Sequence, residues 1–357
     1  MCGIVGYVGC KPVVDILTDG LEQLEYRGYD SSGIAVMCED KIKVYKAVGK
    51  LNNLKSELLQ HKGEYEKATM GIGHIRWATH GAPTVLNAHP HTCSCGNLVL
   101  VHNGIIENYK ELREELAKDG CVFRSQTDTE VVAHLVARMY AKTKDLAEAV
   151  REASKRIDGA YALCVMHNDC KNTLVITKRN APLLVGIGEN EFFAASDVPA
   201  IIKHTKKAMY LEDNQVVTLT PEKMTLTNLE GKVLTPKIEV LPWEPVALSK
   251  MGYKHYMLKE IHEQPDVIRN ILVGKLHAPD ENIILNEVKV TKETLKTLNR
   301  IQIIACGTSL HAAMIGKYLI ENFCGIPVDV EASSEYIYRR NVTNKNTLVI
   351  GVSQSGE

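Results

Sequence analysis

The sequence predicts two units of mixed strands and helices: sheets covered by helices over the first two-thirds, then the opening of a parallel sheet. Three observations carry this. The length of 357 residues corresponds to about two domains at roughly 150 residues each. Up to residue 235, short β-branched runs alternate with turn clusters and a few amphipathic helices. Beyond it, strands and helices alternate one for one, which is the pattern of a parallel sheet.

The expected strands of the first part are Ile4–Val8, Gly33–Met37, Ile42–Ala47, Thr69–Ile75 and Asn97–His102. Pro12 opens a helix carrying Val13, Ile16, Leu17, Leu21 and Leu24 at helical spacing. A second helix, Tyr109–Lys118, has a charged outer face, and a third runs over Asp128–Tyr140 with Val131, Val132, Leu135 and Val136 inward. More strands follow near Ala162–Met166, Thr173–Thr177, Leu183–Ile187 and Val216–Leu219. Pro236, Pro242 and Pro245 lie in a stretch without periodicity, so residues 236–252 read as a linker between domains spanning 2–235 and 253–357. The second domain shows strands Ile301–Ala305, Ile326–Val330 and Thr347–Val352, and a helix over Glu335–Arg340. The last strand runs into a loop that should open a helix, so the chain reads as cut inside this domain.

Composition narrows the function. With 45% hydrophobic and 24% charged residues the chain can bury a core. Lysine plus arginine number 42 against 43 acidic residues, a net charge of −1, which argues against a nucleic-acid or anionic-membrane surface. No apolar run is long enough to cross a bilayer, and no leader pattern stands at the N-terminus. Ten irregularly spaced cysteines then suggest reduced thiols in a cytoplasmic protein. Of these, Cys10, Cys38, Cys121, Cys164, Cys170 and Cys324 read as small apolar packers. His89, His91, Cys93 and Cys95 raise the question of a metal, but alternate positions converge poorly on one tetrahedral ion, and none is expected.

Cys2 in Met1-Cys2-Gly3-Ile4-Val5-Gly6 has distinctive chemistry. Once Met1 is removed, one residue holds a thiol nucleophile and an α-amine titrating near pH 8, enough for acyl transfer. By position alone it is equally a cysteine that begins a strand. Downstream come Tyr26-Arg27-Gly28-Tyr29-Asp30-Ser31, Arg76-Trp77-Ala78-Thr79-His80-Gly81, Asn87-Ala88-His89-Pro90-His91, His102-Asn103-Gly104 and Thr127-Asp128-Thr129-Glu130. Singly each has a plainer reading: Arg76 and Asp128 a surface ion pair, Trp77 a core aromatic, Asn103-Gly104 a hairpin turn.

In this order, the set resembles the class II glutamine amidotransferases, and within them the branch that aminates fructose 6-phosphate. The resemblance implies an α+β N-terminal-nucleophile hydrolase domain of four layers (αββα), two antiparallel sheets between helices, followed by a partial α/β sugar-isomerase (SIS) lobe. It implies that Cys2 attacks the side-chain amide of L-glutamine and that Asn103 and the Gly104 N–H form the oxyanion hole. Arg27 supports the nucleophile, Arg76 and Asp128 take the substrate's α-carboxylate and α-ammonium, and Thr79 and His80 complete the binding loop. Trp77 gates the passage of ammonia. In the second domain, Cys306-Gly307-Thr308-Ser309 and Ser353-Gln354-Ser355-Gly356 both follow strands. Hydroxyls and N–H groups at a helix start make a phosphate cradle without a cation, so Thr308, Ser309, Ser353, Gln354 and Ser355 are expected to hold the sugar phosphate.

The resemblance further implies glutamate and glucosamine 6-phosphate as products, no cofactor, and a homodimer built by the isomerase half. The imine-forming lysine of that branch lies beyond residue 357, so the chain by itself is expected to be a glutaminase. Rival readings are another class II amidotransferase and a non-catalytic sugar-phosphate sensor.

Overall fold

The computed structural model describes residues 2–78, 81–241, 253–272, 275–277, 282–283, 288, 290–340 and 342–353. The chain divides into two compact units, Met1–Met251 and Gly252–Glu357.

The first unit begins β1 (Gly3–Val8), α1 (Val13–Gln23), β2 (Ser31–Cys38), β3 (Lys41–Val48), α2 (Leu51–Gln60), β4 (Met70–Arg76) and β5 (His91–Thr92). It continues β6 (Leu98–Ile106), α3 (Tyr109–Lys118), α4 (Thr129–Thr143), α5 (Leu146–Ser154), β7 (Gly159–His167), β8 (Leu174–Arg179) and β9 (Leu184–Ile187). It closes β10 (Phe192–Ala195), β11 (Lys207–Tyr210), β12 (Gln215–Leu219), β13 (Met224–Asn228) and β14 (Glu239–Val240). Two sheets result, ordered β14-β11-β9-β10-β1-β4-β2-β3 and β13-β12-β8-β7-β6-β5. Their pairings are antiparallel.

Period-2 alternation sorts each strand between two cores. In β1, Val5 and Tyr7 pack with Leu17 and Leu21 of α1 and Leu54 and Leu58 of α2. Ile4 and Val8 face the other sheet, where they share a core with Val99, Val101, Ala162, Cys164 and Met166. In β7 the intervening residues Tyr161, Leu163 and Val165 pack on Leu116 of α3, Leu135 of α4 and Val150 of α5. Helix, sheet, sheet and helix therefore stack in four layers, as the resemblance implies, and strands buried on both faces read as near-continuous apolar runs.

Local differences from the sequence reading have physical causes. Asn103-Gly104 is not a hairpin turn but lies inside β6, paired with Ala162 and Tyr161 of β7. Short helices α2 and α5 were not anticipated, although Leu51, Leu54 and Leu58 of α2 fall at helical spacing and are buried. The first sheet extends past residue 235, because Glu239 and Val240 pair with Ala208 and Lys207. The remainder of the expected linker, residues 242–252, lies outside the described residues. Cys164 is buried as expected of a packer, but Cys10 and Cys324 are exposed, and all ten cysteines are free thiols.

The second unit holds α6 (Tyr256–Leu272), β15 (Leu276–His277), β16 (Asn282–Ile283), α7 (Lys292–Thr297), β17 (Arg300–Ala305), α8 (Gly307–Cys324), β18 (Val328–Ala332), α9 (Ser333–Tyr336) and β19 (Thr347–Val352). Helix α9 ends before most of the expected Glu335–Arg340 segment. Strands β18-β17-β19 form a parallel sheet with β17 central. The chain leaves β17 for one neighbour and returns to the other side, so the carboxyl ends of β17 and β19 are a topological switch point, where doubly wound sheets bind ligands.

Candidate active site

Because β1 and β4 run antiparallel with Gly3 opposite Ile75, the residue before β1 meets the end of β4. The Cys2 thiol contacts the Trp77 carbonyl at 3.5 Å and accepts from the Trp77 N–H at 3.4 Å. Arg27 Nε and Asn103 Nδ2 both donate to the Cys2 carbonyl, at 3.0 and 3.1 Å. Asp197 locks Arg27 from behind: its Oδ2 lies 3.0 Å from Arg27 Nη1 and accepts from the Tyr26 hydroxyl at 2.5 Å. The turn carrying Arg27 can lie against β4 only because position 28 is glycine, since a Cβ there would sit 2.7 Å from the Arg76 carbonyl carbon.

A small cavity is lined by Cys2, Arg76, Trp77, Gly104, Asp128 and their neighbours His89, His102, Thr127 and Thr129. Arg76 is 3% and Asp128 5% exposed, which rules out the reading of both as surface ion-pair members. Arg76 donates to the carbonyls of Gly81 and Ala82, at 3.0 and 3.3 Å, and so shapes the loop after β4. Asp128 accepts from the Ile106 N–H at 2.8 Å. Trp77 is no core aromatic: it is 43% exposed, its ring set edge-on to Tyr29 at 5.7 Å. Thr79 and His80 lie outside the described residues.

Burial raises the Cys2 thiol above its ordinary value, against the lowering effects of the Trp77 backbone N–H and the Arg76 and Arg27 charges. A thiol held protonated in this way needs a base at hand. Behind it, burial drives His74 down to about 3 and His89 well below its ordinary value, so both rings are neutral at pH 7. His89 Nε2 lies 2.9 Å from the Thr129 hydroxyl and His91 Nε2 lies 3.1 Å from that of Thr127. The Cys93 and Cys95 sulfurs instead contact each other at 3.0 Å. The four residues of the metal question thus serve different partners, and among the described residues no group of three or more such ligands could hold an ion.

The segment before α4 is anchored by Glu130 in its first turn. Glu130 accepts from the N–H groups of Arg124 and Ser125 and from the Ser125 hydroxyl, at 2.6 to 3.1 Å. Burial alone would raise this carboxyl, but these bonds and His134 outweigh it and hold it at about 2. A depressed native pKa stabilises above the ordinary value of 4.5 and ceases to do so as pH falls through 2. Glu130→Gln should therefore cost about 3 kcal/mol at pH 7. Urea unfolding should show the gap to wild type closing between pH 4.5 and 2, whereas a constant gap would contradict the assignment.

Sequence reasoning missed Asp197, Asp30 and His74. Asp30 accepts from the Ala78 N–H at 2.7 Å and fixes the start of the loop. Asp197 lies 170 residues from Arg27, and no local pattern announces such a pair. In the second unit, Thr308 and Ser309 stand in the first turn of α8. Ser353 follows Val352, which registers with Ala305 at the end of β17. The three residues thus share the carboxyl edge of the sheet. Gln354 and Ser355 lie outside the described residues.

Comparison with known proteins places both units in known domain families. The glutamine amidotransferase domain family matches residues 46–243 and the SIS domain family residues 294–357. The glutamine–fructose-6-phosphate aminotransferase (isomerizing) of Symbiobacterium thermophilum is 46% identical over 358 residues, covering 100% of this chain and 58% of that protein. Its namesake in Aquifex aeolicus is 48% identical with the same coverage. The chain thus spans 58% of the length of these relatives. A solved structure titled as the allosteric regulatory enzyme of purine biosynthesis is 26% identical with a TM-score of 0.55, covering 64% of this chain and 49% of that one. Glutamine phosphoribosylpyrophosphate amidotransferase from B. subtilis is alike in fold, with a TM-score of 0.55, 22% identity, and coverage of 92% of this chain and 65% of that one.

Proposed function

Since the chain belongs to the glutamine amidotransferase family, we propose that its first unit hydrolyses L-glutamine through a Cys2 thioester and that the parent reaction aminates fructose 6-phosphate. The observation that carries the reading is the convergence of Cys2, Arg76, Gly104 and Asp128 on one cavity, with Asn103 bonded to the Cys2 backbone.

With Met1 removed, the neutral α-amine of Cys2 takes the thiol proton, and the thiolate attacks the δ-carbon of glutamine. The Asn103 amide and the Gly104 N–H stabilise the oxyanion that forms. Its collapse breaks the C–N bond, the ammonium proton passes to the leaving group, and ammonia departs. Water then attacks the γ-glutamyl thioester and releases glutamate. Arg76 suits the substrate carboxylate and Asp128 its ammonium. Arg27 holds the nucleophile's backbone, and Trp77, Thr79 and His80 border the bound glutamine. Thr308, Ser309 and Ser353, with Gln354 and Ser355, cradle the sugar phosphate at the switch point of the parallel sheet. No cofactor enters these steps. The reading extends to a cytoplasmic homodimer for the full-length protein and to glucosamine 6-phosphate as its product.

Glutamate and ammonia release by the purified chain tests this, with and without fructose 6-phosphate, alongside hydroxylamine to divert the thioester to γ-glutamyl hydroxamate. Hydroxamate at the expense of glutamate is expected. A folded, Met1-free chain that binds fructose 6-phosphate but releases no glutamate would overturn the glutaminase reading in favour of a sugar-phosphate sensor.

A further inference from the structure

Resting on the glutaminase reading, we propose that His74 is a positioning residue of the oxyanion hole, its Nε2–H fixing the Asn103 side-chain amide in the orientation that turns Nδ2 toward Cys2. His74 lies on β4 and is fully buried. Its Nε2 is 3.0 Å from Asn103 Oδ1 and 3.0 Å from the His102 carbonyl oxygen. Both partners are acceptors, so the proton sits on Nε2 and is shared between them. Its Nδ1 is buried with no hydrogen-bond partner among the described residues, a state found less rarely for acceptors than for N–H donors. The opposite tautomer would face a lone pair to two oxygens and bury an N–H without a partner, so the environment selects one form.

That selection passes to Asn103. An amide has one acceptor end and one donor end, and rotation by 180° exchanges them. With Oδ1 held by His74, Nδ2 faces the Cys2 carbonyl at 3.1 Å, and its second N–H is available to an oxyanion formed at Cys2. In the flipped amide, Oδ1 would meet the Cys2 carbonyl oxygen. His89 backs the His74 ring, its centroid 4.0 Å away at an interplanar angle of 32°, so turning the ring costs this packing as well as its two hydrogen bonds.

The residue acts through Asn103, so its loss should appear in turnover and not in binding. His74→Leu is expected to lower kcat for glutamate release about 30-fold with KM within about threefold. His74→Gln, whose amide N–H reaches the position of Nε2, should recover kcat to within about fivefold of wild type. Equal loss in both variants, or a loss confined to KM, would overturn the assignment. Should His74→Leu fail to fold, nitrogen NMR of histidine-labelled wild-type protein decides independently, with the His74 signal identified by its absence in His74→Gln. A neutral Nε2–H tautomer unchanged from pH 5 to 9 is expected, and an Nδ1–H tautomer or a titrating ring would refute the proposal. Absence of glutamate release from wild type would sink the glutaminase reading instead, leaving the tautomer result to stand or fall by itself.

Discussion

Cys2→Ala should reduce glutamate release to background, a loss on the order of 10⁴-fold or more, with the fold intact. The size follows from the Cys2 side chain being both the attacking atom and the site of the covalent intermediate; no neighbouring group in the cavity can substitute. Arg76 offers no nucleophilic atom, the Asp128 carboxylate is held by the Ile106 N–H, and unactivated threonine hydroxyls are weak nucleophiles at neutral pH. The fold should survive because, among the described residues, the hydrogen bonds of the thiol are two long ones, both with the backbone of Trp77. The Arg27 and Asn103 bonds go to the Cys2 carbonyl, which alanine retains. Glutamine turnover and thermal unfolding of the two proteins check this. Residual activity above about one-hundredth of wild type would show that attack does not come from this thiol.

Gly104→Ala is expected to be the most damaging single methyl in the first unit. Position 104 has φ +126, a region open to glycine and strained for alanine. A Cβ there would lie 2.0 Å from the Ala160 carbonyl oxygen and 3.0 Å from the Tyr161 Cα. These are backbone atoms of β7, tied to β6 by a ladder running from Leu98–His167 to Ile106–Gly159. They cannot yield like a flexible side chain, so the strands must separate beside Cys2. The expected cost is about 4 kcal/mol of stability. Glutaminase activity should fall at least about 100-fold, because displacing β6 misplaces Asn103 and the Gly104 N–H together. Gly63→Ala is the control, since a Cβ at that position meets nothing within 4 Å, and its stability should stay within about 0.5 kcal/mol of wild type. Denaturant unfolding of the three proteins tests the contrast. Equal stability of the Gly104 variant and the control would mean that β6 and β7 open there at little cost.

Elements whose neighbours in space are also neighbours in sequence were legible without coordinates. Helix α3 fell at Tyr109–Lys118 as expected, because two buried leucines four apart, flanked by charge, suffice to define an amphipathic face. The β-branched runs marked the central strands for a similar reason, with ends coincident or up to four residues off, since hydrogen-bond partners and not composition decide where a strand stops. The candidate site was legible as an ordered series of motifs, each short enough to be read locally.

What the sequence by itself determined was therefore the family-like motif series and which segments are regular. The tertiary structure alone decided their company. Asn103-Gly104, turn-like as a dipeptide, became a strand interior once β7 lay alongside. Arg76 and Asp128, ordinary surface charges by composition, became buried groups of one cavity. Asp197 reached Arg27, and His74 reached Asn103, across separations that leave no periodic trace. The physical reason is one of range. Helical and strand patterning is set by side chains a few positions apart, whereas burial, tautomer and amide orientation depend on groups from other strands brought within hydrogen-bond distance by the folded sheet.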